Sequence, residues 1–170
     1  MKTILAVLLL FSVALGGELP AKRQAGAPPA PLAVYRRGDP VPLGSVFAPI
    51  DGTPATLTSG PGSLFSFEGD VLFGPTDAAG TESAAFMVFP SFDGACGYIS
   101  GNLTFAMSRP SDCASPGPFR LQGGIVQYGP SNAVRSFQLC GADQHIAWNR
   151  YGATDDCENV DLVFVNRPVD

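Results

Sequence analysis

Apolar residues along this chain fall in short runs with no helical stripe between them. "LFSFEGDVLF" (64–73), "AAFMVFP" (84–90), "GYISGNLTFAM" (97–107), "PFRLQGGIVQYG" (118–129), "RSFQLC" (135–140), "HIAWNRY" (145–151) and "VDLVFV" (160–165) are rich in Phe, Val, Ile and Tyr. Each is bounded by Gly, Pro, Asp or Ser, and several alternate apolar with polar positions, as half-buried strands do. The pattern predicts an all-β domain, an antiparallel β-sandwich or β-barrel. "FEGDVLF" and "ISGNLTF" place Gly-Asp and Gly-Asn between apolar flanks, which predicts two tight hairpins. In "HIAWNRY" the alternation sets Ile146, Trp148 and Arg150 on one face.

An internal echo sharpens this. "FSFEGDVLFGP" (65–75) aligns with "FRLQGGIVQYGP" (119–130), with one inserted residue. Phe65, Phe67, Gly69, Val71 and Gly74-Pro75 match Phe119, Leu121, Gly123, Ile125 and Gly129-Pro130. Two copies of a hairpin suggest pseudo-repeats. If "VPLGSVFAPIDG" (41–52) is a degenerate first copy, the symmetry is threefold and a β-trefoil is the alternative fold.

The N-terminus sets the compartment. "MKTILAVLLLFSVALGG" has one lysine, an apolar run and small residues at its end, the pattern of a secretory signal peptide, with cleavage expected after Gly16. "ELPAKRQ" follows, and its Lys22-Arg23 pair reads as a dibasic processing site. The expected organisation is a signal peptide over 1–16, a short propeptide over 17–23, a flexible lead-in over 24–33 and one β domain over 34–170. The expected location is extracellular or the cell wall, with no membrane anchor.

Processing also changes the charge. Without Lys2, Lys22 and Arg23, the ten basic residues fall to seven, all arginine. Without Glu18, fourteen acids remain and the net charge is −7. A lysine-free, acidic surface argues against nucleic acid and anionic membranes, which need basic groups to neutralise phosphates. It suits a neutral partner such as polysaccharide.

Cys96, Cys113, Cys140 and Cys157 in an oxidising compartment read as two disulfides. Sixteen residues separate the first two, and sixteen the last two, which favours the sequential pairing 96–113 and 140–157. One histidine and no closely spaced Cys or His pair make a poor metal site, so neither metal nor cofactor is expected.

The C-terminal fifty residues carry a resemblance. "FQLC" followed at once by glycine, the aromatic "AWNRY", a second cysteine and then "VDLVFV" look like the C-terminal domain of fungal PIR cell-wall mannoproteins. The phialide-type (PhiA-like) fungal cell-wall proteins are similar. The likeness covers about residues 60–165 and implies a non-catalytic structural glycoprotein of the wall, associated with glucan or mannan. Two departures limit it. The glutamine-containing repeats that tie PIR proteins to glucan are absent, so no ester linkage carries over. Cys96 and Cys113 are an added pair, and no cysteine closes the C-terminus.

Three kinds of site compete for the remaining polar residues. Ser136, Asp143 and His145 resemble the parts of a nucleophilic triad, but no G-x-S-x-G elbow surrounds a serine. Glu68 with Asp70, or Asp155, Asp156 and Glu158, would be the carboxylates of a wall-active glycosidase, although acids in turns usually serve turn geometry. Trp148, Asn149, Arg150 and Tyr151 are candidate ligand contacts, stacking rings with hydrogen-bonding neighbours, and would suit either a wall protein or a small lectin-like effector. The alternation equally allows Trp148 to be core. Asn102 opens the N-glycosylation sequon "NLT", expected at a solvent-facing turn. No phosphate-binding glycine loop is found.

Overall fold

The alternating segments close on themselves. The computed structural model describes residues 28–129 and 136–165, and these form sixteen strands. The first half holds β1 (Ala30–Arg36), β2 (Pro42–Phe47), β3 (Asp51–Pro54), β4 (Thr56–Thr58), β5 (Leu64–Glu68), β6 (Val71–Thr76), β7 (Glu82–Val88) and β8 (Ser91–Phe92). The second holds β9 (Ala95–Cys96), β10 (Ser100–Ala106), β11 (Ala114–Ser115), β12 (Phe119–Gln122), β13 (Ile125–Tyr128), β14 (Ser136–Cys140), β15 (His145–Asn149) and β16 (Cys157–Phe164). The expected signal peptide and the Lys22-Arg23 site lie outside the described residues.

Eight of these strands make a closed antiparallel barrel in the order β1-β5-β6-β7-β10-β15-β14-β16, with β16 returning to β1. Closure satisfies both edges of every barrel strand. An eight-stranded barrel is just wide enough for side chains to fill it. The alternation supplies them: Leu32 and Val34, Phe65, Leu72, Ala85 and Met87, Leu103 and Phe105, Phe137, Ile146 and Trp148, and Val160 and Leu162 point inward and are buried. Phe65 and Phe105 meet near the centre, with ring centroids 5.2 Å apart.

The two echoing segments are both hairpins with two-residue loops. Glu68 pairs with Val71 across Gly69-Asp70, and Gln122 pairs with Ile125 across Gly123-Gly124. Gly69, Gly123 and Gly124 have φ of 58°, 57° and 83°, the left-handed values that such loops demand. The first hairpin belongs to the barrel wall. The second joins β16 at its edge and contributes Phe119, Val126 and Tyr128 to the core. The stretch 41–52 is not a third copy: β2 pairs with β1 and β4, β3 pairs with β10, and the trefoil alternative falls.

Two other expectations are corrected. "ISGNLTF" is no hairpin but one continuous strand, β10, paired with β7 on one side and β15 on the other. Gly101 is there for close approach: a Cβ on it would stand 2.9 Å from the Phe89 ring and 2.9 Å from the Val88 carbonyl oxygen. Residues 30–33, assigned to a flexible lead-in, belong to β1 and bury Leu32 and Ala33. Pro31 sits at the strand's start, where a missing N–H is tolerated.

Both expected disulfides are formed. Cys140 and Cys157 are register partners on β14 and β16, with Cα atoms 4.2 Å apart. Cys96–Cys113 ties the end of β9 to the segment before β11.

Candidate functional site

The β14–β15 hairpin and the chain that follows it organise two neighbouring surfaces. In the hairpin turn, Asp143 Oδ1 lies 2.9 Å from His145 Nδ1. That hydrogen bond holds the Asp143 carboxyl below its ordinary value. Ser136 is not part of this pair. Its backbone opposes Asn149, whereas His145 opposes Cys140, so four residues of strand, roughly 13 Å, separate Ser136 from His145.

The acidic candidates are dispersed as well. Glu68 and Asp70 are exposed at the β5–β6 turn. Asp155 and Asp156 are exposed just before β16, and Glu158 is turned toward the Arg36 guanidinium on β1. The hydrogen bond from Arg36 holds the Glu158 carboxyl below its ordinary value. A carboxylate engaged in this way is a structural ion pair across the β1–β16 seam. Among the described residues, no three His, Cys, Asp or Glu side chains gather as a metal site.

Trp148 is core. It is 3 % exposed, and its ring stands edge-on to Tyr128 at 5.1 Å and to Phe89 at 6.2 Å. A sugar ring has no access to its face, so Trp148 is withdrawn from the candidate contacts. Asn149 is also buried; its Oδ1 accepts the Tyr151 backbone N–H at 2.8 Å and fixes the turn leaving β15. Arg150 is exposed, with its backbone N–H donated to the Ile99 carbonyl at 2.8 Å. Tyr151 is 78 % exposed.

Sequence reasoning missed what stands beside Tyr151. The Arg150–Ile99 hydrogen bond joins this turn to the segment 91–99, which presents Phe92 at 65 % exposure and Tyr98 at 58 %. Tyr98 packs edge-on against buried Phe89, ring centroids 5.0 Å apart. Phe89 in turn touches Trp148 and Tyr128. The core aromatics thus continue outward to a rim of exposed rings, with Arg150 lining a hollow of about 250 Å³ between Tyr98, Tyr128 and Trp148. The signal available in "SFDGACGYIS" was Phe92 and Tyr98 standing in a glycine-interrupted stretch too short to bury both rings.

The second surface is a groove of about 610 Å³ on the outside of the barrel wall. Asn102 of β10, Ala147 of β15 and Gln138 of β14 form its floor, and Thr154 and Asp156 border it. Asn102 is half-buried in mid-strand, not at the turn expected for its sequon.

Comparison of the chain with protein-family models, with curated proteins and with solved structures returns no match.

Proposed function

We propose that this chain is a secreted structural glycoprotein of the fungal cell-wall type, non-catalytic, which associates with neutral wall polysaccharide through the aromatic rim. The observation that carries the reading is the exposure of Phe92, Tyr98 and Tyr151 on two segments joined by a backbone hydrogen bond. Tyrosines combine an apolar face with a polar tip, which suits the alternating apolar and hydroxylated surfaces of a sugar ring. The rim is pre-formed, because Tyr98 leans on Phe89 and the Cys96–Cys113 bridge fixes the segment behind it. Pre-forming limits the ordering cost of binding. The acidic composition, with no lysine beyond Lys22, supports a neutral polymer over a polyanion. The two disulfides are compatible with an extracellular location. All four cysteines are paired within the chain, which favours non-covalent retention.

Pull-down on insoluble glucan, chitin and mannan tests this. Retention on glucan or mannan should fall at least ten-fold in Tyr98→Ala/Tyr151→Ala while the circular dichroism spectrum is unchanged. Detergent should release the native protein from walls without mild alkali. Equal retention of the folded double variant, or release only by alkali, would refute the reading.

A further inference from the structure

The groove on the barrel wall contains an unusual polar row. Val88, Asn102, Ala147, Gln138 and Asn159 are register partners in turn across β7, β10, β15, β14 and β16. Adjacent strands lie about 4.7–4.9 Å apart, so Asn102 and Gln138 stand roughly 10 Å apart with only a methyl group between them. Small Ala147 makes the middle of the floor, and the two amides flank it.

Gln138 is 1 % exposed, yet its amide is half-satisfied. Nε2 donates to Asn159 Oδ1 at 3.4 Å, a long bond. Among the described residues, the contact to Oε1 is Cys140 Sγ at 4.0 Å, and a disulfide sulfur carries no hydrogen to donate. Turning the amide over exchanges which atom faces the sulfur but leaves one atom facing it. A buried amide group left this way keeps the desolvation penalty without the compensating bond, and the group lines the groove. Across Ala147, the Asn102 side chain makes no hydrogen bond to a described residue and opens the sequon completed by Thr104.

We infer that the groove is a cradle for the chain's own N-glycan: Asn102 carries the glycan, and its first N-acetylglucosamine lies over Ala147 with its acetamide or hydroxyl groups bonded to Gln138. The inference rests on the secretory reading of the N-terminus and not on polysaccharide binding. In the transfer, the Asn102 amide nitrogen bonds to the anomeric carbon of a lipid-diphosphate-linked oligosaccharide. The carbon–oxygen bond to the diphosphate breaks, the diphosphate leaves with the electron pair, and the amide loses one proton to solvent. The donor reaches an extended chain before the barrel closes, so a mid-strand position is open to it. The folded wall then has to house the sugar. A groove of about 610 Å³ is within the roughly 300–1,000 Å³ of small-molecule sites. A sugar amide supplies both the donor and the acceptor that Gln138 can use in either orientation.

The test uses the chain secreted from a yeast host and an amidase that cleaves the sugar–asparagine bond, followed by intact mass. Ala79→Asn provides an internal control, because with Gly80 and Thr81 it creates a sequon in the exposed β6–β7 turn. The control glycan should be released from native protein at least ten-fold faster than the glycan on Asn102, and at the same rate after denaturation. Gln138→Ala should speed native release at Asn102 at least three-fold; Gln138→Met, which keeps the volume, serves if the alanine variant is not secreted. An unoccupied Asn102, native release as fast as the control, or no response to either Gln138 variant would overturn the cradle. Glucan retention is scored on the same samples. Retention with an unprotected glycan overturns the cradle alone, and a protected glycan without retention overturns the polysaccharide reading alone.

Discussion

Replacing Trp148 with alanine should destabilise the barrel severely, because this ring joins the barrel wall to the core residues of the β12–β13 hairpin. It is 3 % exposed and touches Tyr128 and Phe89 edge-on at 5.1 and 6.2 Å. An indole of this kind buries about 150–250 Å². At about 25 cal/mol per Å² its transfer is worth roughly 4–6 kcal/mol. Alanine keeps a small part of that area and the neighbours relax into the rest, so the expected loss is about 3–5 kcal/mol. Against a total stability of roughly 5–15 kcal/mol, that is a third or more for most domains. The melting temperature should fall by about 6–20 °C, taking roughly 2–4 °C per kcal/mol at this size. Urea unfolding followed by circular dichroism measures it, since the variant lacks the chain's one tryptophan. The native protein supplies the companion observation: its emission should be blue-shifted and poorly quenched by iodide. A stability loss under about 1 kcal/mol, or the red-shifted emission of a solvated indole, would refute the core assignment. It would restore Trp148 as a binding surface.

The remaining predictions test other joints of the same structure. Replacing Cys140 and Cys157 together with alanine releases a loop with a sequence separation of 17 and should cost about 3 kcal/mol, read as a lower urea midpoint under non-reducing conditions. Gly101→Ala, whose new methyl would meet the Phe89 ring and the Val88 carbonyl at 2.9 Å, should cost about 1–3 kcal/mol in the same assay. The depressed carboxyls of Glu158, Asp143 and Asp51 contribute stability that is present above their unfolded values and lost as pH falls through their lower folded values. The unfolding midpoint should therefore hold between pH 7 and 5 and decline below about pH 4.5, less steeply in Glu158→Gln, in a pH series of thermal melts.

Much of the wall was legible because a barrel strand has one buried face. Short apolar or alternating runs placed β5, β6, β7, β12, β13, β14, β15 and β16, and the Gly-Asp and Gly-Gly pairs marked the two repeated hairpins. The failures came where composition or local turn chemistry was weighed without pairing. "PAPLAVYR" reads as a proline-rich leader, yet Leu32 and Val34 are fully buried because β1 is the strand that closes the barrel against β16 and β5. Closure is a property of the whole sheet, and no window of seven residues contains it. "SGNL" has the chemistry of a turn, but the ring of Phe89 needs the space above Gly101, and this tertiary demand fixes the strand. The disulfides were legible from the expected oxidising compartment and the equal spacings, because each bridges neighbouring segments.

Candidate binding residues were less legible, and barrel geometry gives the reason. Sequence distinguishes the two faces of a strand but not which face lies inside, so Trp148 on one face of β15 and Asn149 on the other were both available as contacts, and Gln138 on β14 was not singled out. Once the barrel closes, the face with Ile146 and Trp148 goes inward. The opposite face is then left to carry the polar row that runs from Asn102 to Gln138. The chain beyond β15 turns out over that face, which is why Gln138 is buried although it points away from the core. A buried polar side chain outside the hydrophobic core is the kind of feature that packing alone does not produce, since leucine there would leave no amide unsatisfied. Its position one small residue away from a glycosylation sequon ties the two observations into one surface. The aromatic rim neighbours that surface but uses other side chains, Tyr98 and Tyr151 against Asn102 and Gln138, so polymer binding and glycan protection can be measured with separate variants.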